Sequence, residues 1–168
     1  MEHYIKKTIP TLFLLLSLNI FASSLSDDAI KRGINETCAS YLNQVEKSYN
    51  LNGLNITFAH PINPSVLPSL HISSQKYNNG SSIFSATLTP DNDYCYISTV
   101  LVTSVNNQTC GEISQLKLEA DPELQISSYA QGDFTIITPK DNNYQIILTT
   151  QGETSCSMTE TRMVWPGR

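Results

Sequence analysis

Catalytic signatures are what this 168-residue chain lacks. It has no Gly-x-Ser-x-Gly elbow, no His-Glu-x-x-His pair, no phosphate-cradling glycine loop and no dinucleotide-binding fingerprint. Glycine is scarce at seven residues, so glycine-rich loops are excluded as an organising device. Charge is thin as well. Charged residues make up 15% of the chain, the formal net charge is −5, and no basic cluster occurs outside the N-terminus. Nucleic acid and anionic membrane surfaces are therefore poor partners. None of the four cysteines stands in a Cys-x-x-Cys pair, which argues against a zinc knuckle or a thioredoxin-type redox site. Of the three histidines, His60 and His71 lie eleven positions apart with no metal-ligand spacing around them. No cofactor is indicated.

What is present begins with a leader. Lys6-Lys7 is followed by a mainly apolar run over residues 8–21 and then by small residues, with Ala22 and Ser24 at the −3 and −1 positions of a cut after Ser24. Residues 1–24 are predicted to be a signal peptide of bacterial type and residues 25–168 a single α+β domain. The apolar run is short of the roughly 20 residues a spanning helix needs, and no second such run follows, so no transmembrane segment is expected after cleavage. Losing Lys6, Lys7 and Glu2 leaves eight basic and fourteen acidic residues, a formal charge of −6. Four Asn-x-Ser/Thr sequons begin at Asn35, Asn55, Asn79 and Asn107. In a bacterial chain they carry no glycan.

Residues 94–105 form the longest β-branched and aromatic run beyond the leader, without glycine, proline or charge. Apolar side chains fall on both parities, which predicts a strand near the middle of a sheet. Upstream, Ile30, Ile34, Cys38, Tyr41, Leu42, Val45 and Tyr49 recur at three- and four-residue steps behind Ser26-Asp27-Asp28. That spacing predicts one helix of about five turns, ended at Gly53. Residues 54–59 alternate as a strand does, and residues 60–68 are a proline-broken connector. Tyr77-Asn78-Asn79-Gly80 marks a hairpin, and Pro90 to Asp93 another turn. Leu116 and Leu118 alternate with Lys117 and Glu119, the mark of a further strand, and four more strands follow to Trp165. The predicted fold class is α+β: one long N-terminal helix packed on a meandering antiparallel β-sheet of seven to nine strands, held by two disulfides. No internal repeat is visible.

Cys38, Cys95, Cys110 and Cys156 are an even number in an exported chain, so they are assigned to two disulfides. Cys95 and Cys110 would stand about 30 Å apart if the strand between them is continuous, far beyond disulfide reach. Cys38 lies on the helix's inward stripe and Cys95 shares a strand face with Ile97 and Leu101. This favours Cys38–Cys95 with Cys110–Cys156, and Cys38–Cys110 with Cys95–Cys156 is a close alternative. Asp91-Asn92-Asp93 and Asp141-Asn142-Asn143 resemble the opening of a calcium loop, but they lack its glycine and distal glutamate and are assigned to turns.

Tyr94 and Tyr96 share a strand parity, and Tyr129 and Tyr144 stand in later strands. Together they are a candidate binding surface for another protein or a glycan, unless the connector covers them as a second small core. A small apolar ligand between helix and sheet would instead be lined by Ile34, Tyr41 and Val45. The expectation is an exported (periplasmic or secreted) disulfide-stapled binding module acting through protein–protein contact, such as an inhibitor, a host-interaction factor or an accessory envelope subunit. The alternative is a small secreted hydrolase using scattered carboxylates and a histidine.

Overall fold

The computed structural model describes residues 23–129 and 134–164, with the backbone alone at residues 128 and 129. The leader up to Ala22, the Gln131-Gly132 pair expected to separate two strands, and Trp165 lie outside the described residues. Eight strands form one antiparallel sheet: β1 Leu54–Phe58, β2 Ser69–Tyr77, β3 Gly80–Asp91, β4 Tyr94–Asn106, β5 Leu124–Tyr129, β6 Phe134–Pro139, β7 Tyr144–Thr150 and β8 Ser155–Val164. The helices are α1 Leu25–Lys31, α2 Glu36–Ser48 and α3 Cys110–Ala120. All three pack on one face of the sheet, the face that carries Cys95, Ile97, Cys156 and Leu148.

The predicted single long helix is two helices. Gly33 takes a left-handed conformation at φ +78°. Its N–H donates to the Ile30 carbonyl and the Ile34 N–H reaches back to Ala29, which closes α1 in a Schellman turn. Asn35 then starts α2, its side-chain oxygen accepting from the amides of Thr37 and Cys38. The apolar period runs through this break, and for that reason spacing alone joined the two. Ile34, Cys38 and Leu42 are buried as the stripe requires, whereas Ile30 is exposed.

The strand expected at Leu116 and Leu118 is α3. Thr109 and Glu112 form a reciprocal capping box, the Thr109 hydroxyl on the Glu112 amide and the Glu112 carboxylate on the Thr109 amide. Two alternating leucines imitate a strand over four residues, but the cap decides the helix. Leu116 is exposed and Leu118 packs on the core beneath.

Sheet order is β1-β2-β3-β4-β8-β7-β6-β5, so the sheet is two four-stranded meanders joined where β4 pairs with β8. The run over residues 94–105 does lie mid-sheet. Although no repeat shows in the sequence, the architecture repeats. Each half is a helical segment followed by four antiparallel strands. In each, a disulfide ties the helix to the second residue of the last strand: Cys38 in α2 to Cys95, and Cys110 in α3 to Cys156. Each half also has its own core. Leu25, Leu42, Phe84, Leu88 and Ile97 centre the first, and Ile113, Ile137, Ile146 and Leu148 the second.

Two-residue turns set much of the register. Asn78-Asn79 joins β2 to β3, and Asn92-Asp93 joins β3 to β4 with Asn92 at φ +52°. At Gly80 a Cβ would collide with the Ser104 carbonyl oxygen, so the first hairpin needs glycine there.

Candidate functional site

Directly paired residues of antiparallel strands share a face, and with all three helices on one side the register leaves the other side uncovered among the described residues. On β1–β3 that open face is apolar. Leu54, Ile56 and Phe58 of β1 stand 67%, 42% and 57% exposed, and Ile83 of β3 is 53% exposed. Ile56 lies beside Ile72, Phe58 beside Leu70, and Ile83 beside Val102 of β4. Towards β8 the same face turns to Ser98, Thr159 and Thr161. No acidic residue occurs between Glu46 and Asp91, so the apolar edge is also the part of the chain free of negative charge. Ile62 and Val66 of the connector add two more exposed apolar side chains after β1.

The helix-facing side holds two polar clusters. In the first, the Tyr49 hydroxyl at the end of α2 donates to Glu160 Oε1 on β8 at 2.7 Å. Burial and that carboxylate push the Tyr49 phenol up to about 12. Arg162 Nη2 stands 3.7 Å from Glu160 Oε1, and its guanidinium lies 5.1 Å over the Tyr144 ring. Arg162 Nε is buried with no hydrogen-bond partner among the described residues. Next to these lies an open recess of about 870 Å³ at the notch where β7 begins and β8 runs on past it. Asp141, Asn142, Asn143, Tyr144, Gln145 and Arg162 line one side of it. Amides, hydroxyls and a guanidinium can hydrogen-bond a polar ligand there, and among the described residues Asp141 is the single acidic one lining it. The described lining therefore holds no facing carboxylate pair.

In the second cluster, His71 is fully buried beneath α1. Its Nδ1 lies 3.2 Å from the Thr57 hydroxyl and its Nε2 2.9 Å from that of Ser69. Thr57 also hydrogen-bonds Asp28 of α1. A carboxylate only accepts, so Thr57 donates to Asp28 and accepts from His71 Nδ1–H, which leaves Nε2 to accept from Ser69. The chain Ser69–His71–Thr57–Asp28 is thus fully satisfied with a neutral imidazole. Burial works against the Asp28 carboxylate, yet the bonds from Thr57 and Arg32 hold it below its usual range. His60 is exposed, its Nδ1 accepting from the amides of Ile62 and Asn63 in a connector turn.

The four tyrosines do not form one surface. Tyr94 and Tyr96 lie on the open face, Tyr94 exposed and Tyr96 partly buried. Tyr144 pairs with Arg162 on the opposite, helix-facing side. Tyr129 pairs with Phe134 at the far edge, and its side chain lies outside the described residues. Ile34, Tyr41 and Val45 pack into the first core. The Asp91 and Asp141 segments are turns, with Asn143 donating to Asp141. Among the described residues no three His, Cys, Asp or Glu side chains gather as a metal set, and no helix is long and apolar enough to cross a membrane. Sequence reasoning missed Glu46, Glu160 and Arg162, which meet their partners only across the fold; Tyr49 and Glu160 are 111 positions apart.

Fold and surface together define a class no narrower than a disulfide-stapled α+β protein with one open sheet face. Comparison with protein-family models, curated proteins and solved structures finds no match for this chain.

Proposed function

We propose that the chain is an exported, disulfide-stapled binding module that acts by protein–protein contact, with the open face of β1–β3 as its contact surface. The observation that carries this reading is the cluster of exposed aliphatic and aromatic side chains on that face, Leu54, Ile56, Phe58 and Ile83, in a stretch without acidic residues. Contiguous exposed apolar surface of this kind marks interaction sites. β1 is also an edge strand, with backbone donors and acceptors open to an added strand. The rival, a small hydrolase using carboxylates and a histidine, would centre on His71. That ring is fully buried and both its nitrogens are engaged, so a substrate would have to displace α1.

A photo-crosslinking residue placed at Ile83, and in a control at Gln115 on α3, tests the proposal in the exporting cell. Discrete adducts from position 83 alone, lost when Ile56→Glu is added, are the expected result. Equal labelling from both positions, or turnover of peptide or polysaccharide by the purified protein, would overturn it.

A further inference from the structure

Glu46 sits in the last half of α2, 6% exposed, and none of the three ion pairs among the described residues includes it. Its carboxylate is turned onto the start of α1. Oε1 accepts from the Leu25 amide at 2.8 Å, and Oε2 accepts from the Ser26 amide at 3.3 Å and the Ser26 hydroxyl at 3.1 Å. A buried carboxylate held only by neutral donors lacks the cation that usually accompanies such burial. Leu25 N is also the atom that the sequence marks as the new N-terminus, because Ala22 and Ser24 occupy the −3 and −1 positions before it.

We propose that Glu46 is the seat of the mature N-terminus, the counter-ion for the α-ammonium of Leu25. This rests on the export reading above. An external signal peptidase adds water across the Ser24–Leu25 peptide bond. The carbonyl carbon leaves with Ser24 as a carboxylate, and the nitrogen stays on Leu25 as an amine that takes a proton from solvent. Folding then places that nitrogen where Leu25 N lies, because the Leu25 side chain is fully buried in the first core. A hydrogen bond from a neutral amide to the carboxylate becomes an ion pair with charge on both partners. An ammonium at a helix N-terminus opposes the helix dipole, and Glu46 offsets that repulsion. A recess of about 250 Å³ lined by Ser24, Asn43, Glu46, Lys47, Asn50 and Leu51 opens at this point, leaving room to hydrate the remaining ammonium protons; Lys47 lines it but forms no ion pair with Glu46. The cut gives up the Ser24 hydroxyl cap on the Asp27 amide and the Asn55 bond to the Ser23 carbonyl. A cut two residues earlier would keep both, so the two sites make opposite predictions for the free amine.

The full-length gene is expressed in a bacterium that exports it, and the intact mass is measured, followed by N-terminal labelling of the folded protein with an amine-selective aldehyde. The expected result is a chain beginning at Leu25 whose α-amine labels at least tenfold more slowly than in urea, with the protection lost in Glu46→Gln. A chain engineered to begin at Ser24 keeps Glu46 but moves the amine away, and it labels freely even should Glu46→Gln fail to fold. Retention of the leader on unexported protein would sink both this inference and the export reading. Export with a different N-terminus, or a Leu25 amine as reactive folded as unfolded, would sink the seat alone.

Discussion

Burial pushes the His71 imidazole down to about 4, against an upward pull from Asp28 and with a downward one from Arg32. The unfolded chain takes up this proton near 6.5, and the folded one refuses it until about 4. The stability tied to a neutral His71 is therefore complete above pH 6.5 and drains away as pH falls from 6.5 to 4. At full extent it amounts to about 3 kcal/mol. Urea midpoints should hold level from pH 7.5 to 6.5 and fall from there to pH 4.5, and His71→Gln should flatten that fall while lowering the plateau. An unchanged slope in the variant would assign the acid sensitivity to the carboxylates. In sequence His71 stood without a partner. Thr57 comes beside it only through the β1–β2 register, and Asp28 only because α1 lies across both strands.

At the scale of elements, local chemistry outranked periodicity twice. Gly33 and Asn35 are a stop and a start signal two positions apart, and the helical stripe ran through both. Asn35→Ala removes the acceptor for two α2 amides and should cost about 1 kcal/mol. Urea unfolding measures that loss, and amide exchange should quicken first at Thr37 and Cys38. Thr109-x-x-Glu112 was equally legible as a capping box, yet two alternating leucines outweighed it. Strands fared better because their boundaries are turn residues. The Asn78-Asn79 hairpin falls where the sequence put it, and asparagine supplies every left-handed non-glycine residue among those described, at Asn50, Asn92, Asn107 and Asn142.

For the whole molecule, the β4–β8 seam and the two disulfides divide the labour. Ten residue pairs join the halves at the seam, whereas each disulfide acts inside one half. The bridges span 57 and 46 positions, so in the chain-entropy model each contributes about 4 kcal/mol. Paired replacement of Cys38 and Cys95 by serine should loosen α1 and α2 in amide exchange and leave α3 protected. Replacing Cys110 and Cys156 should do the reverse. Loss of protection across both helical segments in either variant would show the halves to be one cooperative unit. With both bridges intact, thiol labelling should add nothing before reduction and four groups after it.

The sequence alone determined the α+β class, the antiparallel sheet, the mid-sheet place of residues 94–105 and the use of cysteine as staples. Each of these follows from local pattern: alternation, turn chemistry and an even cysteine count. Tertiary structure decided which cysteine meets which, that the sheet is two joined meanders, and that all helices cover one face and leave the other open. It also decided that Tyr144 parts from Tyr94, and that Glu46, His71 and Arg162 are the polar groups with consequences. Those outcomes depend on strand order and register. A change of one position in register moves a side chain to the opposite face, and nothing within a single strand records which neighbour it will meet.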